Sequence, residues 1–181
     1  MRLRRATGGD AAAIAAIYAP YVTGSIVSFE TEAPDEAAMR ERIEAGGALY
    51  PWFVAEGGGS VAGYAYACAF RTRPAYRFTV ETSVYLAPGA QGRGVGAALY
   101  ERLLGTLEAQ GFTQAIAAIS LPNPASVALH ERFGFERAGT YARVGWKLGG
   151  WHDVGLWQRP LAPSETPPAE PLPFAAVSRG G

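Results

Sequence analysis

The stretch Gln91-Gly92-Arg93-Gly94-Val95-Gly96 places glycine at every second position, behind a strand-like run at 79–86 and ahead of a helix-like run that reaches Gln110. Glycine lets a backbone approach a ligand closely. The first N–H groups of a helix have no partners inside it, and its dipole favours negative charge. With the permanent cation of Arg93, the turn from Gly92 to Ala97 reads as a cradle for a pyrophosphate. Taken alone, such a turn is equally well a loop that needs positive φ. Two nucleotide loops are excluded. A Walker loop ends in Gly-Lys-Ser/Thr, and Gly96-Ala97-Ala98 stands here. A dinucleotide loop belongs to a first βαβ unit with an acidic residue closing a later strand; this loop lies mid-chain, and the strand after its helix ends without Asp or Glu.

Other side chains could act beside that cradle. Glu81 stands in a strand otherwise made of Val80, Val84, Tyr85 and Leu86. Apolar surroundings raise a carboxyl pKa towards a value useful for removing a proton. A glutamate on the solvent face of the strand is an equal reading of the residue alone. Arg71, Arg73 and Arg77 precede it, interleaved with Tyr76 and Phe78. Guanidinium forks suit carboxylate and phosphinate ligands, although scattered arginines are usually solvated. Asn123 stands before Pro124-Ala125-Ser126, where it caps a helix without needing another role. His130 could exchange protons near neutral pH or be a buried structural histidine. Trp151-His152-Asp153 offers too few ligands for a metal, and none is expected. Cys68, flanked by Ala67, Ala69 and Phe70, reads as a packing thiol rather than a nucleophile.

Elements must position these groups. The pattern predicts a strand at 3–6 and a helix started by Thr7 and Asp10 with Ile14, Ile17, Tyr18 and Tyr21 on one face. A second helix from Pro34-Asp35 carries Met39 and Ile43 inward and stops at Gly46-Gly47. Strands follow at 52–56 and 61–70 around Gly57-Gly58-Gly59-Ser60, then at 79–86. Val95, Leu99, Leu103 and Leu107 step by four along the helix after the loop, which Gly111 caps. A central strand at 115–120, a helix at 124–132 and strands at 135–141 and 154–160 complete a mixed α/β domain over 1–161. Trp146, Trp151 and Trp157 read as core or subunit contacts. From 162 to 181 the composition changes, with five of the 13 prolines and few aliphatics. That tail is expected to be extended or disordered, the alternative being a tail docked over a neighbouring subunit.

The 181 residues suffice for one domain with a core. Hydrophobic content of 49% and charged content of 18% fit a globular chain. A formal net charge of zero gives no general attraction to nucleic acid or membranes. The single cysteine fits a reducing cytoplasm, and no apolar run reaches the ~18 residues of a membrane span. Thr7-Gly8-Gly9-Asp10 follows the basic start where a signal peptide would be apolar.

The loop pattern Gln-x-x-Gly-x-Gly resembles the acetyl-CoA loop of the GNAT N-acetyltransferase superfamily. The segments Tyr50-Pro51-Trp52-Phe53-Val54-Ala55-Glu56, Thr79-Val80-Glu81-Thr82-Ser83-Val84-Tyr85-Leu86, Leu107-Glu108-Ala109-Gln110-Gly111-Phe112 and Gly149-Gly150-Trp151-His152-Asp153-Val154-Gly155 resemble the phosphinothricin N-acetyltransferases within it, which are similar to methionine sulfoximine/sulfone acetyltransferases. The resemblance spans about residues 2–160. It implies a mixed, mostly antiparallel sheet flanked by helices, and acetyl-CoA as co-substrate without a metal. It also implies a homodimer and transfer to a small amino acid in a ternary complex. It further implies Glu81 as base, directly or through a water, and main-chain pairing of the pantetheine arm along Val84, Tyr85 and Leu86. Pyrophosphate would be held by Gly92, Arg93, Gly94, Val95, Gly96 and Ala97, with Asn123 also bonding coenzyme A. His130 replaces the Tyr of many GNAT enzymes on the thiol side, and Arg71, Thr72, Arg73, Tyr76, Glu81, Thr82 and Ser83 would face the acceptor. Acetylation would then neutralise the amine of a glutamate mimic and confer resistance. Two rivals stay open: an acetyltransferase for another small amine, and a non-catalytic acyl-CoA sensor.

Overall fold

Residues that recur every four positions commit one helix to the centre of the molecule. In the structure, a computed structural model describing residues 1–163 and 167–177, α3 (Val95–Gln110) buries Val95, Leu99, Tyr100, Leu103, Leu104 and Leu107. Each leucine so removed from water contributes on the order of 1.5–3 kcal/mol. Gly111 ends the helix at φ 87°, its N–H donating to the Leu107 and Glu108 carbonyls.

α3 packs on a seven-stranded sheet of order β1-β2-β3-β4-β5-β7-β6. The strands are β1 (Arg2–Arg5), β2 (Trp52–Gly57), β3 (Ser60–Ala69), β4 (Thr79–Leu86), β5 (Gln114–Leu121), β6 (Glu136–Lys147) and β7 (Gly150–Pro160). Only β4 and β5 run parallel; the other neighbours are antiparallel. α1 (Ala11–Thr23) and α2 (Glu36–Gly46) cover the other face, and α4 (Pro124–Arg132) follows β5. Alternation along β3 serves both layers: Ala65 and Ala67 join the core under α3, while Tyr64 and Tyr66 pack beneath α1 and α2.

Local chemistry sets the helix starts. Asp35 Oδ1 accepts the Ala38 N–H at 2.8 Å and caps α2. Asp10 accepts from the Thr7 N–H at 2.8 Å and from Arg4 at 2.7 and 2.8 Å. The expected capping group therefore closes a 3-10 turn, Gly8–Asp10, and α1 begins at Ala11.

Two parts differ from the sequence reading. β6 and β7 extend past the expected 135–141 and 154–160 into a long outer hairpin. β6 is an edge strand exposed along most of its length, so it carries no hydrophobic alternation to reveal it. The tail was expected to be extended or disordered. Residues 164–166 and 178–181 lie outside the described residues, but 167–177 dock on their own chain. The Leu172 N–H donates to the Gln110 carbonyl at 2.7 Å, and Gln110 Nε2 donates to the Leu172 and Leu49 carbonyls, both at 2.8 Å. A short helix, α5 (Phe174–Val177), buries Phe174 edge-on against Phe53 at 5.6 Å, with the Arg5 guanidinium 4.8 Å from its ring centre. Composition counts aliphatics across the segment, whereas its docking rests on one aromatic, on two hydrogen bonds to the Leu172 main chain and on the Phe174 N–H, which donates to the Ala48 carbonyl at 2.6 Å.

Candidate active site

β4 and β5 pair only at Thr79, Val80 and Glu81, opposite Gln114, Ala115 and Ile116. Beyond that point the strands part. Residues 82–86 of β4 keep their β3 partners and have no β5 partner, which leaves main-chain groups facing a gap. The gap is lined by Val27, Thr82, Val84, Tyr85, Ile119, Asn123 and His130, among others. Six expected site residues thus meet at one cleft: Thr82, Ser83, Val84, Tyr85, Asn123 and His130.

Their side chains are not equivalent. The Thr82 hydroxyl is buried against the Tyr100 hydroxyl at 2.6 Å, on the α3 side of the sheet. The Tyr85 ring turns to the other face and meets Tyr18 and Tyr21 edge-on. Asn123 Oδ1 accepts the Ser126 N–H at 3.2 Å and caps α4. His130 is buried between Tyr100 and Phe135, its Nδ1 2.7 Å from the Ser126 carbonyl and its Nε2 without a partner among the described residues. Burial holds its pKa below the usual imidazole value, partly opposed by the Ser126 carbonyl.

The glycine loop turns between β4 and α3. Gly92 and Gly94 adopt φ 72° and 78°, with open space where a β-carbon would stand. The backbone conformation, rather than crowding by the protein, requires glycine there. Gly94 is the N-cap of α3, so the N–H groups that follow it are the unpaired donors of a helix start. Val95 and Gly96 are buried, and Arg93 is exposed. Gly94→Ala is expected to cost about 1–2 kcal/mol in left-handed strain. Displacing one backbone–phosphate bond as well would raise the KM for an anionic carrier by about tenfold. Gly96 lacks positive φ, and its β-carbon would meet Leu86 Cδ1 at an ordinary 3.5 Å. Gly96→Ala is therefore expected to melt no lower than wild type. Initial rates and thermal melting of the two variants check this; equal destabilisation would contradict it.

Glu81 stands where the strands begin to part. Burial raises its carboxyl pKa, and the field of Arg71 partly opposes this. Of the remaining expected acceptor residues, Arg71 stacks on Phe70, which meets Tyr76 edge-on. Thr72 and Arg73 are exposed on the same loop. Arg77 is drawn off: it pairs with Glu170 of the tail at 2.8 Å and lies over Phe78.

The family model for the acetyltransferase (GNAT) family matches residues 13–135. The chain belongs to the GNAT acetyltransferase family. It is 43% identical over 179 residues to the phosphinothricin N-acetyltransferase of Streptomyces viridochromogenes, covering 99% of this chain and 96% of that one. It is 37% identical over 172 residues to the L-methionine sulfoximine/L-methionine sulfone acetyltransferase of Pseudomonas paraeruginosa, covering 92% and 98%. Among solved structures, the GNAT superfamily phosphinothricin acetyltransferase of Sinorhizobium meliloti, in complex with AcCoA, aligns at TM-score 0.88 and 44% identity over 93% of each chain. The GNAT fold expected from the motifs is the observed one, and the chain is an acyltransferase.

Within this GNAT fold lies a chamber that the sequence reading missed. Tyr18, Met39, Arg42, Trp52, Tyr64 and Tyr66 are among the walls of a 370 Å³ cavity between α2 and the sheet. Trp52 stacks on Tyr66 at 4.1 Å. Arg42 is bound bidentately by Glu30 at 2.8 and 2.9 Å, and Glu30 also accepts from Tyr18. The cavity reaches Cys68, the register partner of Glu81. Cys68 is exposed at the surface, and partial desolvation together with the charge of Glu81 pushes its thiol up to about 11, so it is a poor nucleophile. The alternation Tyr64-Ala65-Tyr66-Ala67 was the one sequence signal of an aromatic face. The walls from α1 and α2 come from distant segments.

The outer hairpin separates the tryptophans. Trp157 is core, whereas Trp146 and Trp151 are 60% and 52% exposed and pack on each other. They are not core residues. His152 Nε2 bonds the Lys147 carbonyl, and Asp153 accepts the Arg143 N–H. No group of three metal-binding side chains occurs among the described residues, nor any helix long and apolar enough to cross a membrane.

Proposed function

We propose that the protein transfers an acetyl group from acetyl-CoA to the amine of a small amino acid of the phosphinothricin or methionine sulfoximine/sulfone type, directly in a ternary complex. The observation that carries this is a partly buried carboxylate, Glu81, at the point where β4 leaves β5 and the cleft between the parted strands begins. The residues fit a long anionic carrier. Main-chain groups of 82–86 lack a β5 partner and suit a peptide-like arm. The positive-φ glycines leave open space at the start of α3. When bound, acetyl-CoA supplies an activated thioester carbonyl.

The chain's own groups supply the rest. Glu81, with its raised pKa, takes a proton from the acceptor ammonium, directly or through a water. β4 N–H groups facing the gap polarise the carbonyl. Arg71, close enough to Glu81 to be felt by it, offers its guanidinium to the acceptor carboxylate. Thr72, Arg73, Tyr76 and Ser83 form the outer acceptor wall. Gly92 to Ala97, with Arg93, hold the pyrophosphate, and Asn123 serves the carrier while capping α4. Acetylation removes the positive charge of the acceptor, which is the basis of resistance to a glutamate mimic.

The aromatic chamber favours one acceptor. Its only cation among the described lining residues, Arg42, is already neutralised by Glu30. A neutral sulfone or sulfoximine side chain is at home there; an anionic phosphinate would be buried unpaired. Steady-state assays of the purified protein with acetyl-CoA are expected to give kcat/KM at least about tenfold higher for methionine sulfone than for phosphinothricin. The reverse order would place the side chain among Arg71 and Arg73 instead. Tight acetyl-CoA binding with no amine acetylated across a panel would favour the sensor reading.

A further inference from the structure

We propose that His130 is a hydrogen-bond acceptor rather than an acid: its Nε2 receives the S–H of the coenzyme A thiol formed in the cleft, a bond the acetyl thioester cannot make. The inference deepens the acetyl-CoA reading above and rests on it.

The tautomer follows from the partner. A backbone carbonyl can only accept, and the Ser126 carbonyl lies 2.7 Å from Nδ1, so Nδ1 carries a hydrogen. The bond runs back one turn of α4, which fixes the ring. Tyr100 at 4.9 Å and Phe135 at 5.3 Å hold it from two sides, and His130 is 3% exposed. Nε2 is then left buried with no hydrogen-bond partner among the described residues, on a side chain that lines the carrier cleft. A buried acceptor left unpaired is costly, and a donor on a ligand in the cleft would satisfy it.

A charged imidazole has little support here. The Tyr100 hydroxyl, from α3, is engaged with Thr82 of β4. Glu131, the adjacent carboxylate on α4, accepts from Trp157 Nε1 of β7 at 3.3 Å. Ser126 Oγ, 3.4 Å away, lies on the Nδ1 side. Burial is the largest influence on the ring and favours the neutral form.

Proton balance does not require an acid from His130. The ammonium first loses one proton to Glu81. As the C–N bond forms and the C–S bond breaks, the electron pair of the C–S bond leaves on sulfur. The nitrogen sheds one further proton and the thiolate gains one, so the transfer is neutral overall. Only then does sulfur carry a hydrogen to donate to Nε2. His130 thus distinguishes the released thiol from the incoming thioester.

The test compares His130→Phe with His130→Gln, whose side-chain oxygen reaches the region of Nε2. Calorimetry is expected to show His130→Phe weakening coenzyme A binding by about three- to tenfold, as loss of one modest hydrogen bond implies. Acetyl-CoA binding should change by less than about twofold, and His130→Gln should recover most of the loss. In wild type, nitrogen-15 imidazole spectra are expected to show a neutral ring protonated at Nδ1, with the Nε2 signal moving on coenzyme A binding but not on acetyl-CoA binding. These spectra decide the matter if either variant fails to fold. An Nε2-protonated ring, or loss of kcat in both variants with coenzyme A affinity unchanged, would overturn the proposal in favour of an acid. Equal weakening of both ligands, or of neither, would overturn it in favour of a structural ring. Wild-type protein that binds neither ligand would instead overturn the acetyl-CoA reading itself, and the thiol bond with it.

Discussion

Glu81→Gln is expected to lower kcat by about 10²–10⁴-fold, the usual contribution of a positioned base. Acetyl-CoA affinity should hardly change, because the side chain stands at the mouth of the splay and the carrier is held by main chain and by the start of α3. The pH profile supplies a second signature. A base must be ionised to act, and burial raises the Glu81 pKa. Activity should therefore fall with decreasing pH at a point above the ordinary glutamate value of ~4.3. The substitution should abolish that limb. Stability should move the other way. A group with a raised folded pKa contributes stability that is present below its unfolded pKa and lost as pH rises through the folded one. At neutral pH the wild type has lost that contribution and carries the cost of a desolvated carboxylate, whereas glutamine does not ionise. Melting at pH 7 should therefore show Glu81→Gln at or above wild type. Turnover at the wild-type rate would remove Glu81 as the base, and a large drop in Tm would make it a structural residue.

Phe174→Ala is expected to destabilise the protein by about 3–5 kcal/mol, the range for emptying a buried aromatic site. At roughly 2–4 °C per kcal/mol for a chain of this size, Tm should fall by about 10 °C. Phe174 is 3% exposed, meets Phe53 edge-on and receives Arg5 over its face. The effect should reach the melting curve more than the chemistry, since no described tail residue lines the β4–β5 cleft. A change below about 1 kcal/mol would mean that the tail does not hold its docked position in solution.

The elements were legible where one face repeats. The leucines of α3 and the alternation of β4 place helix and strand on either side of the loop, and Gly92 and Gly94 announce the positive φ that the turn requires. Hairpin and tail were less legible, because an exposed edge strand has no buried face and because Phe174 docks through partners more than sixty residues away. At the site, Glu81, Asn123 and His130 could be singled out by type and neighbours. Arg77 could not be separated from Arg71, because its partner Glu170 lies far along the chain.

The amino-acid sequence by itself determined the order of elements, the glycine turn and the family, since these depend on spacing along one segment. Tertiary structure decided where β4 and β5 part, which face of β4 each side chain meets, and that Thr82 is engaged with Tyr100 while Glu81 faces the other layer. It also decided the aromatic chamber with its neutralised Arg42, and the burial of a ring whose Nε2 has no partner among the described residues. These are properties of groups brought together from distant segments, and burial, charge pairing and unmet hydrogen bonds exist only once the chain has closed around them.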